Sequence, residues 1–527
     1  MRKFLILILA LSVFFRFYDL HSVPSWDWDE GVNLNVIRNL LDGRFQLFSV
    51  KYTFFPHPPL FFIVGGMMIK LFGYELYSLR LMTAFYGVLT ALLVYAISTK
   101  MFGRRVGITA GLLYALYPSA IYFSRIGFAN NQVVLLSAFS VYAIYSYLRN
   151  EGERWLYVAS IANGTAIITE YTAVAGLVAS SYLLLKYKKE TLPKFLLVSL
   201  LLPLTVLSAL FLMSSDSLVY DILVQVRRVS TPFFFLVASL TVVAMLTIYK
   251  FGNFIREFFR VFTSNLNEVT VPAFVMISIF SLKLHSGGLQ LNDDMFYGGV
   301  TYLNLMGLLS VFLILPTLKK SIERSALSAY TIGYLLLLLA LNRADHMLMF
   351  IYPYTIMLLG LLIEKTYVVV REFTKENNIN PVILVIMAYH PLFFIFVQDV
   401  QTFVIGNAIG STHESDFLGL VDYLNNRTEP NDVILTYSFL EPYLKGKTCT
   451  VIESIAYEGQ SIKYYPGDID RDRFVFNCSY KYARYITMTN GTRDNMLDGK
   501  EYENLSDYLE TLEYDVVGNF FVYKRDI

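Results

Sequence analysis

Three carboxylates, Asp27, Asp29 and Glu30, fall within four consecutive positions beside Trp26 and Trp28. Acids this crowded can ligate a divalent cation, since Asp27-Trp28-Asp29 is an Asp-x-Asp pattern able to bridge a metal to diphosphate oxygens. They can equally be hydrated side chains next to tryptophans that anchor a bilayer edge. Two features favour a built site. Val32, Val36, Ile37, Leu40 and Leu41 recur at helical spacing while Asn33, Asn35, Arg38 and Asn39 take the other side, which predicts a helix lying flat in a membrane interface with the acids at its N-terminus. Backbone amides at that end favour an ionised carboxylate. The Pro56-His57-Pro58-Pro59 corner then turns the chain back, because proline fixes its own φ and restricts the residue before it.

Composition sets the elements that must position this cluster. Of 527 residues, 55% are apolar and 16% charged, whereas a soluble domain sits at roughly 45–50% and about 25%. That excludes both a cytosolic enzyme and a disordered chain. The net charge of +1 argues against a nucleic-acid partner, which would need a basic footprint.

A spanning helix needs roughly 17–25 apolar residues. Runs of about that kind occur at 4–18, 79–99, 106–122, 131–148, 155–169, 173–185, 195–213, 233–248, 271–284, 297–315, 326–341, 347–362 and 381–397. The first follows Arg2 and Lys3 and lacks a small-x-small cleavage site, so it reads as a retained span with Arg16 snorkelling at its outer end. Pro59 to Leu71 is too short to cross and reads as an interfacial or re-entrant helix. About 20 Lys and Arg residues fall on one set of loops and about eight on the other, which places the N-terminus in the cytoplasm and everything after about residue 405 outside.

The expected architecture is therefore a polytopic α-helical membrane protein of about 13 spans with a small C-terminal α/β extracytoplasmic domain. Residues 1–405 form the transmembrane part, with residues 19–78 as a large first outer loop, and residues 406–527 form the soluble part. In the latter, Phe417 to Leu424 has helical spacing, while Val433 to Tyr437, Tyr485 to Thr487 and Val516 to Val522 read as strands. Sequons at Asn426, Asn477, Asn490 and Asn504 agree with an outer location. Cys449 and Cys478 are the two cysteines of the chain, and either a disulfide or two buried thiols fits them. From Ser411 onward about 20 acids face 12 bases, so near-neutrality is the sum of a basic membrane body and an acidic outer domain.

The order of a first span, Trp28-Asp29-Glu30-Gly31, an amphipathic helix ending near Gly43-Arg44, His57-Pro58-Pro59-Leu60 and Leu79-Arg80-Leu81 resembles the GT-C membrane glycosyltransferases. Within them it is most similar to the branch of protein O-mannosyltransferases and the aminoarabinose transferase of lipid A. The resemblance continues through Pro118 to Arg125, Gly164 to Tyr171 and Arg343 to Pro353, over about 400 residues. It implies a hexosyl- or pentosyltransferase moving a sugar from a polyprenyl-phosphate carrier to a glycan, lipid or protein hydroxyl on the outer face, with inversion. Asp29 is then the base, with Glu30 beside it as the second catalytic carboxylate. Asp27, Lys51, His57, Arg125, Arg343 and His346 are the substrate-binding candidates, Arg343 foremost for the phosphate. A phosphate diester is already a good leaving group, so no metal or other cofactor is required.

The chain departs from the family pattern at two places. Asn130-Asn131 stand where relatives carry a second acid, and Glu170 stands where a lysine is usual. Glu170 can pair with Arg125 or stand hydrated. Two other functions make distinct demands on the sequence. An oligosaccharyltransferase would carry Trp-Trp-Asp in the C-terminal domain, but the tryptophans are Trp26, Trp28 and Trp155. A transporter or flippase for lipid-linked sugars would carry internal repeats and ionisable groups deep in several spans. Apart from Glu170 and His390 the span centres are nearly charge-free.

Overall fold

Apolar runs of the N-terminal part become helices: α1 (Arg2–Phe17), α2 (Trp28–Leu41), α3 (Leu60–Phe72), α4 (Leu76–Phe102), α5 (Arg104–Leu116), α6 (Pro118–Ser124), α7 (Asn130–Leu148), α8 (Arg154–Ile167), α9 (Val174–Tyr187) and α10 (Leu192–Arg228). Two more, Ile322–Ala340 and Tyr352–Glu376, complete the membrane body as far as it is described. The computed structural model describes residues 2–42, 58–228, 321–340, 346–376, 397, 414–462, 465, 469–497 and 502–525. The spans expected at 233–248, 271–284, 297–315 and 381–397 lie outside these residues, Val397 apart.

Among the described residues, Leu76–Phe102, Asn130–Leu148 and Lys189–Met213 are long and apolar enough to cross a membrane, and the pair α5 and α6 would make a fourth, bent by 55°. The bend falls at Tyr117, which is extended because Pro118 excludes helical backbone from the residue before it and starts a new helix at its own position. Helix α3 has 13 residues, as its short apolar run predicts.

Arg16 corrects an expectation. It does not snorkel to the bilayer surface but is fully buried, donating to the carbonyls of Tyr114 and Ala115, both at 3.2 Å, in the last turn of α5. Pro118 has no amide hydrogen to return to Tyr114, and the Arg16 guanidinium supplies one. Deeper in the body, Asn163 donates to Ser140 at 2.7 Å, Ser140 shares a hydrogen bond with Tyr330 at 2.9 Å, and Ser137 shares one with Tyr354 at 2.6 Å. Small polar residues of this kind hold apolar helices together where no hydrophobic drive exists between them.

The C-terminal part is built on five strands, β1 (Val433–Leu435), β2 (Lys447–Cys449), β3 (Tyr485–Thr489), β4 (Glu513–Val517) and β5 (Phe520–Lys524), in the order β2-β1-β3-β5-β4. β1 runs parallel to both neighbours, and β5 is antiparallel to β3 and β4. The run Val516 to Val522, read above as one strand, is the turn of a hairpin. Gly518 has φ +57°, a left-handed conformation open to glycine, and reverses the chain there.

Alternation along the strands sends side chains to two faces. Leu435, Ile486, Met488 and Tyr523 pack with Cys449 and Cys478 under the Val451–Tyr457 and Glu503–Glu510 helices. Ile434, Tyr485, Phe520 and Val522 face the other way, onto Phe417 and Leu420 of the Glu414–Asn425 helix. That second cluster does not end at the domain. It continues through Trp26, Leu34 and Ile37 into Phe61, Leu79 and Met82, so one apolar core joins the C-terminal strands and their helices to the membrane body, with α2 between them.

The asparagines of the four C-terminal sequons are all exposed. Cys449 and Cys478 are disulfide-bonded across 29 positions. Closing a loop of that length restricts the unfolded chain by roughly 3 kcal/mol. Replacing both cysteines with serine should lower the unfolding free energy of the C-terminal domain by about that much, measured by denaturant titration followed on the domain's amide exchange.

Candidate functional site

The acidic cluster sits at the start of α2, and its three carboxylates have three different fates. Asp27 is the N-cap: its side chain accepts the Asp29 amide at 2.8 Å, and the Glu30 carboxylate accepts the Asp27 amide at 3.3 Å. This reciprocal capping box satisfies donors that a helix N-terminus leaves unpaired. Glu30 is completely buried and faces Arg80 of α4, with Nε to Oε1 at 2.9 Å and Nη2 to Oε2 at 2.5 Å. The Gly127 amide donates to Glu30 Oε1 at 2.7 Å. Asp29, between them in sequence, is exposed.

Arg80 does more than neutralise Glu30. Its guanidinium also donates to the carbonyls of Leu20 and His21, both at 3.3 Å, of Pro24 at 2.8 Å and of Ser25 at 3.2 Å. A lone arginine in an apolar span must face a partner, and its sequence position gave that hint. Arg125 holds the same loop from the other side. It donates to Val23 from Nε at 3.0 Å and from Nη2 at 2.7 Å, to Phe15 at 2.7 Å and to Asp19 at 2.9 Å. Asn131 is likewise committed to backbone, at Phe123, Ile126 and Phe128.

Helix α2 does not lie flat on a surface. Nine of its 14 residues are buried, Asn33, Asn35 and Asn39 among them, because its polar side is covered as well as its apolar one. Asn33 donates to the Gly127 carbonyl at 2.9 Å. The 3-10 turn Ser438–Tyr443 of the C-terminal domain packs along the helix so closely that a β-carbon on Gly31 would stand 2.2 Å from the Phe439 nitrogen. Trp26 is correspondingly not a bilayer anchor. Trp26 is buried, stacked on Phe417 and Tyr443 with ring centroids 5.5 and 4.9 Å away, and Trp28 meets the edge of Tyr437.

Of the remaining candidates, Lys51, His57 and Arg343 lie outside the described residues, as do Asp293, Asp294 and His390. His346 opens the 3-10 helix His346–Phe350. Glu170 precedes the 3-10 turn Tyr171–Ala173. Near it an apolar groove runs between Pro58 and Pro59 at the head of α3, Ile168 and Tyr171 beyond α8, and Pro203 and Leu207 on α10. Among the described residues no group of three or more His, Cys, Asp or Glu side chains is arranged to hold a metal ion.

Desolvation at the foot of α2, followed by the charges of Asp29 and Glu30, raises the Asp27 carboxyl to about 7. The folded chain then holds a proton that the unfolded chain, with an aspartate near 3.9, releases, so stability falls as pH rises from about 4 to about 7. Asp27→Asn keeps an oxygen for the cap and removes the charge. Its melting temperature should vary less across that window than the wild type's, and should exceed it above about pH 8. At the ion pair, Arg80→Met should cost about 3–5 kcal/mol by leaving Glu30 charged and unpaired, and Arg80→Met with Glu30→Leu should recover most of it; urea unfolding of the detergent-solubilised chain measures both.

Comparison with known proteins adds to this geometry. Residues 56–215 match the family described as dolichyl-phosphate-mannose-protein mannosyltransferase, a stretch that starts after the acidic cluster. An uncharacterised protein of Aquifex aeolicus is 26% identical over 202 residues, which are 36% of this chain and 40% of that protein, so the match spans well under two thirds of the relative's length. ArnT of Cupriavidus metallidurans, solved with undecaprenyl phosphate bound, superposes with a TM-score of 0.56 at 13% identity, covering 98% of this chain and 97% of that one. The oligosaccharyltransferase of Archaeoglobus fulgidus in its apo form gives 0.57 at 12% identity, covering 99% of this chain and 74% of that one. Both are GT-C glycosyltransferases, and the chain has the fold of the GT-C membrane glycosyltransferases.

Proposed function

We propose that the chain is an inverting glycosyltransferase that moves a hexosyl or pentosyl group from a polyprenyl-phosphate carrier to an acceptor hydroxyl on a glycan, lipid or protein at the extracytoplasmic face. One observation carries this reading. Of the three carboxylates at the start of α2, Asp29 alone is neither cap nor buried ion-pair partner, and it is the exposed one. It stands in the first turn of α2, next to the residue whose burial fixes that turn.

In the reaction, Asp29 takes the acceptor hydroxyl proton while the oxygen attacks the anomeric carbon opposite the phosphate. The carbon–oxygen bond to phosphate breaks, and polyprenyl phosphate leaves. General-base assistance contributes roughly 10²–10⁴-fold, with the rest from positioning and charge stabilisation. Glu30 acts through position rather than proton transfer, because both its oxygens are engaged by Arg80. Asp27 likewise sets the helix start.

An isoprenoid chain requires an apolar surface, and the small pocket beside Pro58 and Tyr171 is apolar. ArnT, the relative solved with undecaprenyl phosphate, supports a donor of that class. Arg343 is the proposed phosphate partner, with His346, Lys51 and His57 as further cations. Arg125, whose donors go to loop carbonyls, serves as a staple in this reading. The topology that fits is about 13 spans with the N-terminus in the cytoplasm and the C-terminal domain outside, which puts Asp29 at the headgroup level.

Purified protein incubated with labelled polyprenyl-phosphate sugars and candidate acceptors tests this. Asp29→Asn should lower kcat by about 10²–10⁴-fold with the donor KM little changed, and the product should have the opposite anomeric configuration to the donor. Undiminished transfer by Asp29→Asn would remove it as base. Movement of intact donor across the bilayer without transfer would replace the transferase reading by a flippase.

A further inference from the structure

Asp29 is held from two sides, and only one of them belongs to the membrane body. On that side are Glu30, Arg80 and the Gly127 amide. On the other side Trp28 and Gly31, which flank Asp29 in the first turn, and Trp26 before the cap are gripped by the C-terminal domain. The Ser438 hydroxyl donates to the Trp28 carbonyl at 2.7 Å, the Phe439 backbone lies against Gly31, and Trp26 is stacked between Phe417 and Tyr443. At the far end of α2 the same 3-10 turn supplies Glu441, a buried carboxylate. It pairs with Arg38 and accepts the Tyr74 hydroxyl at 2.6 Å, while Arg38 also lies over the Tyr74 ring.

Within an otherwise apolar interface two of these contacts, Ser438 on the Trp28 carbonyl and Glu441 on Arg38, are polar and directional, and they fix rotation and register. A hydroxyl on the Trp28 carbonyl sets the pitch of the first turn, and a buried carboxylate on Arg38 sets the angle of the helix about its own axis. A rotation of α2 by one residue is about 100°, enough to swing Asp29 from solvent into the core. We infer that Ser438 and Glu441 of the C-terminal domain are positioning residues for the transfer reaction, acting through α2 to hold the Asp29 carboxylate towards the acceptor. The outer domain is then part of the catalytic unit rather than an appended module. This inference rests on the transferase reading for its kinetic half and on the α2 contacts for its structural half.

The test uses the full chain in lipid nanodiscs, comparing Ser438→Ala, Ser438→Thr, Glu441→Ala and Glu441→Asp with wild type. Three readouts apply: kcat and donor KM, amide hydrogen exchange across α2, and tryptophan emission in a Trp155→Phe background, where Trp26 and Trp28 alone report. Ser438→Ala and Glu441→Ala should each lower kcat by about tenfold or more with donor KM within about twofold, since misorientation of a base costs turnover rather than donor binding. Exchange in the first turn of α2 should rise, and the conservative variants Ser438→Thr and Glu441→Asp should restore much of the rate. Unchanged kcat in both alanine variants would overturn the inference, as would lost rate with α2 exchange and tryptophan emission at wild-type values. A wild-type chain that transfers nothing, while its alanine variants loosen α2, would overturn the transferase reading and uphold the clamp.

Discussion

The Glu30–Arg80 pair is the contact on which the arrangement around α2 depends. Two unit charges with no solvent exposure are costly unless their hydrogen-bonding capacity is met. Beyond their mutual pairing it is met by backbone: the amides of Asp27 and of Gly127 in the α6–α7 corner, and four carbonyls of the loop after α1, converge on them. Three stretches of chain far apart in sequence, residues 20–30, Arg80 and Gly127, are thereby tied to one point. Because Glu30 is also half of the capping box, the pair dictates where α2 starts and which way its first turn faces. The exposure of Asp29 follows from the burial of the residue after it.

The sequence predicted the helices of the body well where an apolar run was long, because burial in lipid needs nothing beyond length and hydropathy. It misjudged what covers them. Arg16 reads as a snorkelling anchor in isolation, and only the proline one hundred positions later explains why a cation is wanted inside. The periodicity of α2 marks a helix with one apolar stripe, yet Asn33, Asn35 and Asn39 on the other side are buried too. No local pattern reveals a second cover that arrives from the far end of the chain. In the C-terminal domain the apolar residues on both sides of Gly518-Asn519 read as one strand, although that dipeptide folds them into a hairpin.

The candidate site shows the same limit at finer grain. That three acids cluster at a helix start is visible in the sequence. The division of labour among them is not, since it is decided by Arg80, 50 positions from Glu30, and by Gly127, 97 positions away. Arg80 lies in a motif that carries the family resemblance but suggests no role by itself. Its role becomes clear once one asks which group could neutralise an arginine at the mouth of an apolar span. Ser438 and Glu441 carried no signal at all, because an ordinary serine and an ordinary glutamate in an acidic domain look like solvated surface.

The apolar core shared across α2 bears on the order of events during synthesis. Trp28 and Ser438 are 410 residues apart. At roughly 5–20 residues per second, a ribosome needs on the order of 20 to 80 s to travel from one to the other. For most of that interval Trp26, Leu34 and Ile37 have been made while Phe417, Phe439 and Phe520 have not. The nascent chain therefore passes through a long stage in which the most consequential helix of the protein is missing its lid, and any chaperone or translocon component able to shelter an aromatic surface has its natural client there.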